Sequence, residues 1–164
     1  MENVQKLKHH DIEAYTERTR NGPCFICEML AGKNPHHIVY QDDFAVAFMN
    51  KYTRLYGYVL ASPIRHREHV TSDFTKDEYL RIQSLIYDIS EAIKKVVSTE
   101  RMYILSLGSK QGNAHVHWHI APLPPGVPYE KQQTEAISTR EGILDISENE
   151  MEALADQIRR AMKG

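Results

Sequence analysis

Three histidines alternate with apolar residues in the second half of the chain. The segment is Ala114-His115-Val116-His117-Trp118-His119-Ile120-Ala121. If it forms a strand, the side-chain period of two places all three imidazoles on one face, about 6.5–7 Å apart from one to the next. The apolar residues between them then point the other way, toward a core. We therefore expect the three histidines to meet one ligand from adjacent directions.

Three interpretations of this pattern differ in their chemistry. A strand can simply turn polar side chains to solvent, although perfect alternation beside a tryptophan makes that interpretation the least favoured. Alternating histidines also suit zinc, but no Asp or Glu lies within the segment to complete a catalytic site. In the third interpretation one neutral imidazole is a nucleophile, and its neighbours orient it and protonate a leaving group.

The two cysteines, Cys24 and Cys27, have the spacing Cys-x-x-Cys. In a cytosolic protein this spacing indicates metal binding or redox chemistry rather than a structural disulfide. A thioredoxin-like redox pair is expected to follow a strand and begin a helix within a βαβ unit. Here a predicted helix precedes the pair and ends at Asn21-Gly22-Pro23, so metal binding is favoured over redox chemistry.

The composition limits the possible partners. The chain has 164 residues, 41% of them hydrophobic and 26% charged, which fits one folded domain. A net charge of −2 provides no general attraction for nucleic acid. No apolar run has the roughly 18–20 residues needed to span a membrane, and the polar first 20 residues are unlike a secretory signal. We therefore expect a cytoplasmic protein that binds neither nucleic acid nor membrane.

The order of predicted elements indicates an α+β fold with a largely antiparallel sheet. A Thr75–Glu78 capping box begins the long helix, and Ser147 with Glu150 begins the last one. The predicted helices cover residues 6–20, 24–31, 75–98 and the C-terminal segment after 147. The predicted strands cover residues 38–41, 44–49, 56–62, 102–107 and 114–121.

The histidine segment resembles the His-φ-His-φ-His-φ-φ signature of the histidine triad (HIT) family, in which φ is apolar. Residues 24–32 resemble the amino-terminal segment of bacterial members, and 39–43, 47–50 and 57–60 resemble the first hairpin and the next strand. The resemblance extends from about residue 24 to 125. It predicts an N-terminal helical extension (1–22), a HIT domain with a five-stranded sheet (23–128), and a C-terminal tail and helix packed on that domain (129–164).

The resemblance also implies a mechanism. In this family the middle histidine attacks the α-phosphorus of a nucleotide, which assigns the nucleophile to His117 and a covalent nucleotidyl intermediate to the reaction. His119 would contact the phosphate and help to protonate the departing group, and His115 would orient His117 or bind a metal. No catalytic metal is required. The expected substrates are nucleoside phosphoramidates or dinucleoside polyphosphates.

Nucleotide-binding positions follow from the same resemblance. Asn50 stands where members place an Asp or Asn that binds the ribose hydroxyls, and Phe48 or Tyr40 would flank the base. Polar groups before the triad, which would face the phosphate, are Ser106, Gln111 and Asn113. The chain departs from the family pattern in two places: the run at 111–114 is shortened, and Pro122-Leu123 stands where many hydrolases have Pro-Arg.

A structural zinc is implied as well. Some bacterial members hold zinc with two such cysteines, a later histidine and the first triad histidine. These are Cys24, Cys27, His66 and His115 here, with His69 as the competitor of His66. Members also form homodimers through the long helix and a strand, which predicts pairing through residues 75–98 and 102–107 and a continuous ten-stranded sheet.

Two other functions remain open from the sequence. The chain could be a nucleotide- or zinc-binding interaction module with little or no turnover, which would suit the altered loop and the missing arginine. Alternatively His115, His117 and His119 together could bind a metal ion that hydrolyses the substrate.

Overall fold

The computed structural model describes residues 6–108 and 111–164. The first five residues of the predicted N-terminal extension lie outside the described residues. So do Ser109 and Lys110, which belong to the loop before the triad.

A five-stranded antiparallel sheet forms the centre of the fold, in the strand order β2-β3-β4-β6-β5. Its strands are β2 (Ile38–Gln41), β3 (Ala45–Met49), β4 (Val59–Pro63), β5 (Arg101–Leu105) and β6 (Trp118–Leu123). A separate two-stranded ribbon joins β1 (Leu7–Lys8) to β7 (Ile143–Leu144), also antiparallel. The predicted α+β class and the five-stranded sheet are thus confirmed.

In the part of the chain that the structure describes, five α-helices pack around this sheet. They are α1 (Ile12–Asn21), α2 (Phe25–Leu30), α3 (Lys76–Val96), α4 (Gln132–Ile137) and α5 (Glu148–Lys163). Both predicted capping boxes are present, Thr75 with Glu78 on α3 and Ser147 with Glu150 on α5. Each box satisfies backbone N–H groups that the first helical turn leaves without partners. Within the described residues, no helix is both long enough and apolar enough to cross a bilayer.

The sheet is covered on both faces, and all residues of β3 and β4 are buried. On one face α3 and α5 contribute Ile86, Ile93 and Leu154 to the larger core, which also contains Trp118. On the other face α2 contributes Ile26 to a smaller core. Each such side chain contributes about 1.5–3 kcal/mol by leaving water. The segment carrying the histidines therefore runs through the centre of a two-sided core.

Among the predicted boundaries, the start of the histidine strand and the start of the first helix were wrong by four residues or more. The last sheet strand begins at Trp118 rather than at 114, because residues before it bond outside the sheet: the Val116 N–H donates to the carbonyl of Arg67 at 2.7 Å. At the N-terminus, residues 7 and 8 form a strand instead of helix. Helix α1 begins only after Asp11, whose carboxylate accepts a hydrogen bond from the Ala14 N–H at 2.9 Å.

Candidate active site and metal centre

His115 is completely buried and does not line the cavity that the other two histidines line. Its Nε2 lies 2.8 Å from the carbonyl oxygen of Pro63. A carbonyl can only accept, so Nε2 carries the proton and Nδ1 keeps the lone pair. That Nδ1 lies 3.5 Å from Cys24 Sγ and 3.7 Å from Cys27 Sγ. Burial lowers the pKa of His115 to about 4, so the ring is neutral, as metal binding requires.

The four predicted zinc ligands lie together. Cys24, Cys27, His66 and His115 each offer one atom, and these atoms are all within 4.8 Å of one another. Cys27 Sγ lies 3.6 Å from His66 Nδ1. In tetrahedral zinc, with bonds of about 2.3 Å to sulfur and 2.0–2.1 Å to nitrogen, sulfur and nitrogen ligands are roughly 3.6 Å apart. The spacing and the donor set therefore fit a structural zinc ion.

Outer contacts hold these ligands in place. The Cys27 N–H donates to Cys24 Sγ at 3.4 Å, at the start of α2. The Nε2 of His66 lies 3.6 Å from a carboxylate oxygen of Glu68, and the Nε2 of His115 is held by Pro63. Partners of this kind on the far nitrogen orient a metal-bound histidine. The competing His69 is not in the cluster.

Redox chemistry at the two cysteines is disfavoured. Burial, with Cys24 alongside, raises the pKa of the Cys27 thiol to about 11. Redox-active thiols show the opposite shift, because the thiolate is the reactive form.

His117 has the opposite arrangement of its two ring nitrogens. Its Nδ1 lies 2.7 Å from the backbone carbonyl of His115, so Nδ1 carries the proton and Nε2 keeps the lone pair. The ring is 2% exposed, and burial lowers its pKa. Phe25 meets it edge-on at 5.5 Å, and Ser106 Oγ donates to its backbone carbonyl at 2.8 Å. A neutral imidazole with a free Nε2 is the form that acts as a nucleophile.

His119 is paired with a tyrosine. The Tyr58 hydroxyl lies 2.7 Å from His119 Nδ1. Burial raises the pKa of Tyr58, and burial beside His117 lowers that of His119 to about 3. The hydroxyl is therefore protonated and can donate a hydrogen bond to Nδ1; in that tautomer the ring proton is on Nε2. That Nε2 is buried and has no hydrogen-bond partner among the described residues.

His117 and His119 line one cavity of about 340 Å³. Their ring centroids are 5.1 Å apart. Among the described residues, the three triad histidines do not form a common metal-binding group, because His115 belongs to the cysteine cluster. The hypothesis of one metal ion held by all three histidines is therefore not supported by this geometry.

The residues predicted to bind sugar and base occupy different depths. Asn50 lines the cavity, and its Oδ1 accepts a hydrogen bond from the Tyr52 N–H at 3.0 Å. Phe48 is fully buried beneath Phe25 and His36, at centroid distances of 6.2 and 5.2 Å, and those two rings line the cavity in its place. Tyr40, the alternative to Phe48, packs on the opposite side of the sheet against the helical core.

The residues predicted to face the phosphate also differ in whether they line the cavity. Asn113 and Gly112 line the cavity. Gln111 is exposed and has a positive φ of 58°, an uncommon conformation for a residue with a side chain. Ser106 holds the backbone of the triad segment through the His117 carbonyl rather than lining the cavity.

Several cavity residues have no signal in the sequence. Tyr58 and Phe25 contact triad histidines, yet an aromatic residue in an apolar strand or helix indicates only a core position. Two walls of the cavity come from the terminal segments. Tyr15 and Arg18 on α1 form one wall, and residues 135–139 form the other. Local pattern cannot predict such contacts, because they depend on how distant segments dock.

Comparison with known proteins identifies the family. A family model described as the HIT domain matches residues 31–125. This chain belongs to the HIT family. A HIT-like protein of Saccharolobus solfataricus is 30% identical over 102 residues, which are 60% of this chain and 73% of that protein.

Solved structures share the fold. A zinc-bound histidine triad family protein of Mycobacterium smegmatis is 18% identical, with a TM-score of 0.64, over 85% of this chain and 93% of that one. The diadenosine triphosphate hydrolase of Plasmodium falciparum is 19% identical, with a TM-score of 0.57, over 77% and 76%. The HIT family thus includes a zinc-bound member and a nucleotide hydrolase, and the likeness to this chain is one of fold.

Proposed function

We propose that this protein is a hydrolase or transferase that acts on the α-phosphate of a nucleotide, with His117 as the nucleophile. The observation that carries the proposal is the bond from His117 Nδ1 to the His115 carbonyl, which leaves Nε2 free at the cavity wall. The proposed substrates are nucleoside phosphoramidates or dinucleoside polyphosphates. The family, which includes a diadenosine triphosphate hydrolase, supports this class of chemistry.

Two displacements make up the proposed reaction. Nε2 of His117 forms a bond to the α-phosphorus while the bond to the leaving group breaks, and the electron pair leaves with that group. The Nε2–H of His119 faces the phosphoryl oxygen or the departing atom. Water then attacks the phosphorus, which releases the nucleoside monophosphate and restores His117. Covalent catalysis of this kind replaces one difficult step with two easier ones.

Other residues would bind the nucleotide without taking part in bond changes. The Asn50 amide can still donate to a ribose hydroxyl while its Oδ1 accepts from Tyr52. Asn113 and the backbone around it would lie against the phosphate. A zinc ion at the cysteine cluster would have a structural part: it would fix His115, whose carbonyl orients His117.

Intact-mass analysis tests the proposal directly. The protein is mixed with adenosine 5′-phosphoramidate, quenched within seconds and weighed beside a His117→Ala control. We expect an adduct of one AMP on the native chain and none on the control. If neither adduct nor released AMP is found with several nucleotides, the proposed reaction is wrong.

A second candidate is a nucleotide- or zinc-binding interaction module with little turnover. The exposed position of Gln111 favours it, because the loop before the triad then offers fewer groups to the phosphate. Calorimetric titration with AMP distinguishes the two functions. Tight AMP binding by a chain that forms no adduct supports the module.

We also propose a homodimer formed through α3 and β5. Strand β5 lies at an edge of the sheet, and Ile104 on it is 47% exposed. Leu80 and Tyr87 on α3 are 53% and 66% exposed. An open strand edge beside exposed apolar side chains is typical of a surface that pairs with a second chain. Light scattering should give twice the mass of the chain. In Ile104→Lys the measured mass should fall to that of a single chain.

A further inference from the structure

Arg18 places a guanidinium on the wall of the candidate active site. It lies on α1, before the residues 31–125 that match the family, and it lines the same cavity as His117 and His119. Its guanidinium lies 5.6 Å from the ring centre of Tyr15 and 5.5 Å from that of Tyr52. It also donates a hydrogen bond to the Tyr52 hydroxyl at 3.3 Å. Two aromatic rings thus hold the cation at the cavity.

The charge of Arg18 is available to a ligand. The other arginine of the cavity, Arg54, is already bound to Glu135 at 3.1 Å and to Glu141 at 3.0 Å. Among the described residues, no carboxylate oxygen lies within 4.0 Å of Arg18. Since His117 and His119 are neutral, Arg18 is the cation with which this cavity can balance an anion.

The helix that carries Arg18 packs on the loop before the triad. The end of α1 packs tightly on Gly112, where an added Cβ would lie 2.6 Å from the Pro23 carbonyl and 3.3 Å from that of Thr19. The helix therefore holds Arg18 beside the loop that carries Asn113, the residue proposed to lie against the phosphate.

We propose that Arg18 binds a second anionic group of the substrate, beyond the phosphoryl group that His117 attacks. This inference rests on the proposed function and narrows its substrate class to nucleotides whose leaving group carries phosphate, such as dinucleoside polyphosphates. When the bond between the α-phosphorus and the bridging oxygen breaks, the electron pair stays on the departing phosphate. Arg18 would bind that charge, whereas a departing amine would gain nothing from it.

Two substrates with the same adenylyl group test the inference. Diadenosine triphosphate releases ADP, and adenosine 5′-phosphoramidate releases ammonia. The measured quantity is the ratio of their kcat/KM values in the native chain, Arg18→Gln, Arg18→Lys and Arg20→Gln. Arg20 lies on the same helix and carries the same charge but does not line the cavity, so it is the matched control. Melting curves check that each variant is folded.

We expect the ratio to shift about tenfold toward the phosphoramidate in Arg18→Gln, because a charge-assisted hydrogen bond is lost. Arg18→Lys should shift it less, and Arg20→Gln should leave it within about twofold of native. An equal loss for both substrates would assign Arg18 to the shared nucleotide and overturn the inference. No change in the ratio would also overturn it.

Failure of the proposed function would be seen separately. If the native chain turns over neither substrate, the affinities for AMP and ADP are compared by calorimetry. A preference for ADP that disappears in Arg18→Gln and persists in Arg20→Gln supports the second anion site even without catalysis. Equal affinities in the native chain contradict it.

Discussion

His115 and His117 are two residues apart, yet their ring protons are on opposite nitrogens. In His115 the Pro63 carbonyl holds the proton on Nε2, so Nδ1 faces the sulfur atoms of the cysteine cluster. In His117 the carbonyl of His115 holds the proton on Nδ1, so Nε2 faces the cavity. One backbone carbonyl in each case determines which nitrogen has the lone pair.

This comparison shows how one residue type comes to serve two chemistries. Burial lowers the pKa of both rings, so each is neutral and has one lone pair to donate. For His115 that lone pair meets two thiols in a set that fits structural zinc. For His117 the lone pair faces the cavity that His119 also lines. The surroundings, and not the spacing along the chain, distinguish the metal ligand from the proposed nucleophile.

The strongest test of this difference removes the cavity-facing ring. His117→Ala should lower turnover by roughly 10⁴-fold or more, since loss of a nucleophile removes the covalent route. The same variant should retain its zinc, because its ring is not in the cysteine cluster. Steady-state kinetics and elemental analysis measure the two effects. A variant that keeps a tenth of its activity would contradict the assignment of the nucleophile.

The reciprocal test disrupts the cysteine cluster that is expected to bind zinc. Cys24→Ser should bind less than one zinc per chain and should unfold about 10 °C lower, which at ~3 °C per kcal/mol is about 3 kcal/mol of lost stability. A chelator should produce the same shift in the native chain. His69→Ala is the control, because His69 lies outside the cluster. Unchanged melting after full removal of zinc would show that the cluster does not stabilise the fold.

The sequence identified candidate site residues more completely than it identified the groups that surround them. Alternation singled out the three histidines, and the family resemblance grouped Cys24, Cys27 and His66 with His115, as the structure does. Alternation also predicted that the apolar residues between the histidines face a core, and Val116, Trp118 and Ile120 do lie in the larger one. It did not predict where the strand begins. The strand begins only at Trp118, and before it the backbone of Val116 bonds to Arg67, outside the sheet.

The missing part of the site comes from contacts between distant segments. Phe25 covers His117 and Tyr58 holds His119, but aromatic residues at such positions are usually plain core. Arg18 reaches the cavity because α1 packs against the loop at 111–113. Docking of this kind depends on packing across the whole fold, so no residue spacing in the sequence predicts it.

A smaller effect is expected from the Tyr58 hydroxyl. Tyr58→Phe would leave Nδ1 of His119 buried without a donor, so its ring proton could shift from Nε2 to Nδ1. We expect kcat to fall about tenfold with KM little changed, because the lost interaction matters most while charge develops. The cost of the unpaired group is about 1–3 kcal/mol of stability. An unchanged kcat would show that Tyr58 only fills space.

The smallest expected effect concerns the segment between the two regions. The carbonyl of Arg67 accepts the Val116 N–H, and the Arg67 guanidinium binds Glu78 at 2.7 and 3.1 Å. This hydrogen bonding lowers the pKa of Glu78 from 4.5 to about 2. Because the pKa of Glu78 is lower in the folded than in the unfolded chain, its carboxylate stabilises the fold at pH values above 4.5. That stability is lost as the pH falls from 4.5 toward 2.

In Glu78→Gln the free energy of unfolding should therefore fall less between pH 4.5 and 2 than it does in the native chain. Near neutral pH, the free energies of unfolding of the two chains should change with pH in the same way. Denaturant unfolding at a series of pH values measures this, with Asp77→Asn as the matched change in the same helical turn. Because Arg67 also holds the backbone between His115 and His117, loosening it should affect both regions together. Zinc content and turnover of Glu78→Gln, both measured near neutral pH, should then fall together. If one falls without the other, the two regions are held independently, and the shared backbone contact is not what keeps their two ring arrangements in place.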